Sequence, residues 1–153
     1  MEIDDRELQK LAIGLGKVAE DYQKESRKFL KEEAKKLRKA TMGMMSSKVG
    51  KKTGNLRKGI KSGKVYSYKS KDNLSVRVYG GKPAYHAHLI DRGHDIVTPY
   101  RWKNKARKHG GGAKKGRARA FPFFQPAAEG FQREFEKDCE DYLDSLILGR
   151  LGK

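Results

Sequence analysis

At 153 residues the chain has the length of one ordinary domain, yet only 36% of it is hydrophobic, so the core is modest and some segments need a neighbouring subunit or a polyanion to order them. The formal net charge of +17 is uneven: thirteen Lys and Arg lie between Glu33 and Asp72, and nine more between Asp95 and Glu129, with no acid in either interval. Such blocks favour phosphate backbones or acidic protein surfaces. The single cysteine, Cys139, excludes an intramolecular disulfide framework and reads as a small core residue of a helix. Membrane insertion and secretion are not expected: no apolar run of spanning length occurs, and the start lacks a leader pattern.

From Asp4 to about residue 40 the apolar residues Leu8, Leu11, Leu15, Val18, Tyr22, Phe29, Leu30, Ala34 and Leu37 recur at helical spacing. The pattern predicts one long helix, capped at Asp4 or Asp5 and basic in its last turn, weakened at Gly14 and Gly16. Its length also allows a coiled coil, which Ser26 and Glu33 in the apolar seam oppose. Residues 41–63 read as a linker with a short helical turn, Leu56 and Ile60 sharing one side of it. Met42, Met44 and Met45 suit gap-filling core.

Residues 64–93 form the expected β-hairpin core. Two β-branched and aromatic runs, 64–69 and 74–79, flank the polar turn 70–73, with Leu74, Val76 and Val78 on the covered face. Residues 84–90 fit a strand or a helix equally. Residues 98–120 read as a basic loop extension in which Trp102 stands among Arg101, Lys103, Lys105, Arg107, Lys108, Lys114, Lys115, Arg117 and Arg119, candidate contacts to DNA or to an acidic partner. Pro126 suits the first helical position of a C-terminal amphipathic helix over 126–148. One side of that helix is acidic, a dipolar pattern against the basic remainder that suits head-to-tail packing of like subunits. The fold class is therefore α+β, a single domain with a small antiparallel sheet flanked by a long N-terminal and a C-terminal helix.

His86, His88, Asp91 and His94 can be written as a metal site, but the spacing matches no strong motif, and on a strand Asp91 points away from both His86 and His88. No phosphate loop, nucleophile elbow or paired cysteine cluster occurs, and no cofactor is called for.

Three motifs in order carry a family resemblance. Thr53-Gly54-x-Leu56-Arg57-x-x-Ile60, then Ala87-His88-Leu89-Ile90-Asp91-Arg92-Gly93, then Pro122-Phe123-Phe124-x-Pro126-Ala127 before an amphipathic helix, resemble the tail-component family of tailed bacteriophages, also described as neck or head-tail joining proteins. The chain departs from the family's pattern where Gly59 replaces a common Ser, His86 an aromatic, and Asp91-Arg92-Gly93-His94 a Glu-aromatic-Gly-Thr run, and in the long basic insertion before Phe121. The resemblance implies a non-enzymatic virion protein, assembled in the host cytoplasm as a homo-oligomeric ring at the neck. Its implied neighbours are the head-completion or connector protein and the tail-tube or tail-terminator protein, with packaged DNA passing through the lumen and no membrane. Two rivals remain: a free nucleic-acid-binding protein using the basic aromatic loop, and a metal-dependent nuclease using His86, His88 and Asp91.

Overall fold

The computed structural model describes residues 5–50, 54–70, 73–97 and 113–151. Helix α1 spans Asp5–Lys48 and, at 44 residues, is about 66 Å long. It therefore runs through the first part of the expected linker. Met42, Met45 and Val49 share one face and pack into the core. The polar residues around them remain compatible with a helix because Thr41 Oγ1 donates to the Leu37 carbonyl and Ser46 Oγ to the Met42 carbonyl, each at 2.8 Å.

Helix α2, Asn55–Gly59, leads into strand β1, Ile60–Ser62, followed by β2, Tyr66–Ser67, β3, Leu74–Ser75, and β4, Val78–Gly80. β1 pairs with β4 and β2 with β3, both antiparallel. The four make one interrupted hairpin that starts earlier than the sequence pattern suggested. Between the paired segments, residues 63–65 oppose only residues 76–77, so the first strand bulges by one residue. Leu74, Val76 and Val78 are half-buried while Arg77 and Tyr79 are exposed, the sidedness expected from their alternation, from which Ser75 departs in being half-buried as well.

Residues 87–92, inside the ambiguous stretch and just past it, form helix α3, Ala87–Arg92. Part of the expected loop extension is instead a strand: β6, Lys114–Ala118, pairs antiparallel with β5, His94–Val97. Helix α4 then spans Phe124–Leu151, two residues earlier and three later than expected. Pro126 thus sits third in the helix, still within the first turn, where no intrahelical partner awaits its missing N–H.

The core gathers at one end of the molecule. Met45, Ile60, Ala84, Ala87 and Phe123 are its buried residues, with Met42, Val49, Leu56, Val78, Ile90 and Phe124 packed around them. From there α1 and α4 run antiparallel along an aromatic seam in which Phe29 stacks on Tyr142 at 4.6 Å between ring centroids. Lys48 Nζ donates to the Pro122 carbonyl at one end, Lys36 reaches Asp138 midway, and the Ser26 and Tyr142 hydroxyls meet at 3.0 Å farther along. That register carries α4 short of the first turns of α1, where Leu8, Leu11, Ile13 and Leu15 stay exposed.

Candidate interaction surface

The second and third motifs meet at one carboxylate. Asp91 Oδ1 accepts the backbone N–H groups of Phe123 at 2.8 Å and Phe124 at 3.0 Å. These are the unpaired donors at the start of α4, so a side chain from α3 caps a helix more than thirty residues away and places negative charge at its positive end. Phe121 N–H donates to the Ile90 carbonyl at 2.9 Å, and Phe123, with no exposed surface, drops into the core behind it. Gly93 makes this junction possible. At φ 70 and ψ 168 it occupies a region that only glycine adopts without strain, and a Cβ there would lie 2.6 Å from the Ala118 carbonyl oxygen.

The first motif joins the same core. Gly54, at φ 73, stands before α2 without a side-chain cap; Leu56 is half-buried, Arg57 exposed and Ile60 buried, its carbonyl receiving Arg38 Nε at 2.7 Å. Ala127 is buried and Pro122 exposed. Gly59 explains one departure from the family pattern: a Cβ there would come within 2.2 Å of the Ala84 Cβ and 2.6 Å of its nitrogen. The motif residues are in the main what builds the core. Thr53 lies outside the described residues.

Of the predicted contact residues, Arg101, Trp102, Lys103, Lys105, Arg107 and Lys108 lie outside the described residues. Lys114, Lys115 and Arg117 lie on β6 and Arg119 just beyond it, all exposed. The Arg119 guanidinium sits over the Phe121 ring at 5.6 Å. Every residue of β5 is also exposed, including Ile96 at 48% and Val97 at 46%. Asp95 pairs with Lys114 at 3.0 Å. The ribbon thus carries three cations, with Arg119 just beyond it, one acid and two exposed β-branched residues.

Sequence reading missed the polar network in the α1–α4 seam. The Glu33 side chain is 5% exposed; one of its oxygens holds Lys36 at 2.9 Å, and the other has no partner among the described residues. Burial pushes the Glu33 carboxyl above its ordinary value, while Lys36, bonded to Asp138 and Glu33, is held above its own. Asp138 is correspondingly held below the usual carboxylate range by Lys36. Cys139, beside them and half-buried, has its thiol pushed up by burial and by the charges of Glu33, Asp138 and Glu136, the opposite of what a nucleophile needs. Ser26 and Glu33 in an otherwise apolar helix stripe were the signals in the sequence.

Two of the candidate histidines bond to nearby backbone. His88 Nδ1 donates to the Tyr85 carbonyl at 3.0 Å and His94 Nδ1 to the Leu89 carbonyl at 3.4 Å, while Asp91 is committed to the cap of α4. Among the described residues no group of three or more His, Cys, Asp or Glu is placed to hold a metal ion. No helix among them is long and apolar enough to cross a membrane.

Compared with known families, residues 9–93 match the model of the HK97-gp10-like family, described as "Bacteriophage HK97-gp10, putative tail-component". The match takes in α1 from its second turn, the hairpin and α3 through Gly93. No curated protein and no solved structure matches the chain.

Proposed function

Because the chain belongs to the HK97-gp10-like family of bacteriophage tail components, we propose that it is a structural, non-enzymatic virion protein: a ring subunit of the neck that completes the tail and joins the head connector to the tail tube. The observation that carries this reading is the incompleteness of the isolated chain. Every residue of β5 in the β5–β6 ribbon is exposed, and four large apolar residues are exposed on the first turns of α1. Of these four, Leu8, Leu11 and Leu15 recur at helical spacing on one side of α1, and an exposed apolar stripe in a virion protein is a surface for neighbours. Head-completion and tail-tube or tail-terminator proteins are the neighbours a neck position supplies, and the basic β6 residues would then face them or the DNA passing through.

Phage grown without this chain should yield filled heads and finished tails that fail to join, and adding the purified protein should restore joined particles with ring density at the neck in electron micrographs. Normally joined particles lacking the chain would sink the proposal. Exposed Lys115, Arg117 and Arg119 also support a second reading as a free nucleic-acid-binding protein. That reading requires tight binding whose salt slope shrinks on their replacement by Ala; weak, unspecific binding removes it.

A further inference from the structure

We propose that the β5–β6 ribbon of one copy docks on the outer face of the C-terminal half of α4 in the next copy, joining subunits head to tail. This rests on the ring-subunit reading and names the contact that would close the ring. A two-stranded ribbon is marginal in water unless something covers it, and this one leaves Ile96 and Val97 open while carrying more cations than acids.

The outer face of α4 has the matching composition. From Asp138 to Gly149 the helix contains four acids and no Lys or Arg. Asp138 is taken by Lys36 of the same chain, whereas Glu140 and Asp144 are exposed and pair with no described residue. Ile147, 40% exposed, stands at i+3 from Asp144 and i+7 from Glu140, so acids and an apolar residue share the face turned away from the aromatic seam, while Leu143, 44% exposed, borders the groove beside Phe29 and Tyr142. Charge and apolar surface are complementary on both counts.

The occupant is a second copy because the chain's own ribbon is badly placed. It is anchored beside the first turn of α4 through Gly93 and Phe121, while Glu140 lies about 24 Å along the helix. A five-residue strand spans only about 17 Å. A contact between unlike patches generates a ring when its rotation closes.

Reciprocal charge reversal tests this. Lys115→Glu with Arg117→Glu makes ribbon and helix both acidic; Glu140→Lys with Asp144→Lys makes both basic. All four sites are exposed, so both variants should keep the wild-type circular dichroism and melting temperature. In sedimentation velocity at low salt, each variant alone should self-associate about tenfold more weakly or worse, and an equimolar mixture should recover assembly by alternating the two chains. Variants that assemble like the wild type, or a mixture that stays dissociated, would overturn the docking while leaving the ring reading intact. So would a ribbon variant that assembles normally and loses only binding to DNA. A wild-type chain that stays monomeric at high concentration, alone and with head-connector and tail-tube proteins, would instead remove the ring reading itself.

Discussion

The two ends of this molecule are built on opposite principles. At one end α1, the hairpin, α3 and the start of α4 close on Ile60, Ala87 and Phe123, and Asp91 caps the first N–H groups of α4. At the other, α1 runs past α4 with exposed leucines; the β5–β6 ribbon, although rooted beside the start of α4, likewise leaves Ile96 and Val97 exposed. The first end is finished by the chain itself. The second keeps large apolar side chains exposed among the described residues, on the first turns of α1 as on the ribbon.

The largest effect should come from emptying the finished end. Phe123→Ala removes a fully buried ring and with it the packing behind the α4 cap, and should cost about 3–5 kcal/mol in denaturant unfolding. A loss below 1 kcal/mol would mean that this end is not the stabilising one. Gly93→Ala adds a Cβ at a positive φ against the Ala118 carbonyl, and should cost about 1–3 kcal/mol with the ribbon's amide-exchange protection falling first. Asp91→Asn keeps the shape of the cap but not its charge, and about 1 kcal/mol is expected, read as a shift in melting temperature.

Smaller effects belong to the seam between the two ends. Asp138 is held below its ordinary value, so its contribution is present above the unfolded value of 3.8 and fades as pH falls through the folded one. Glu33 is raised, so its contribution has the opposite sign: it is present below 4.5 and fades as pH rises through the folded value. Asp138→Asn should flatten the acid limb of a stability-against-pH profile, and Glu33→Gln should flatten the fall above pH 4.5. A profile that neither variant alters would show that the network does not couple the helices. Smallest of all, Leu11→Ser with Leu15→Ser at the unfinished end should move the unfolding free energy by only about 0.5 kcal/mol or less, because neither side chain is covered in the isolated chain. A large loss would show that this part of α1 is internally packed after all.

How far the residues alone reach differs between the two ends. The sidedness of Leu74, Val76 and Val78 and the amphipathic face of α4 were legible because period and burial are local properties. The extent of α1 was not, because Met42 and Ser46 look like punctuation until a core receives the one and a helical carbonyl the other. The pairing of β5 with β6 was likewise illegible: Lys114 to Ala118 has no strand propensity of its own, and a partner seventeen or more positions earlier makes it a strand.

Composition, period and three short motifs determined by themselves the α+β class, the two helices, the hairpin and the family, since each depends on neighbours a few residues apart. Tertiary structure alone decided that Asp91 caps α4, that Gly59 and Gly93 are required, and that Glu33 is buried beside Lys36 and Asp138. Those facts depend on groups brought together from far along the chain, and no local pattern encodes a distance between them.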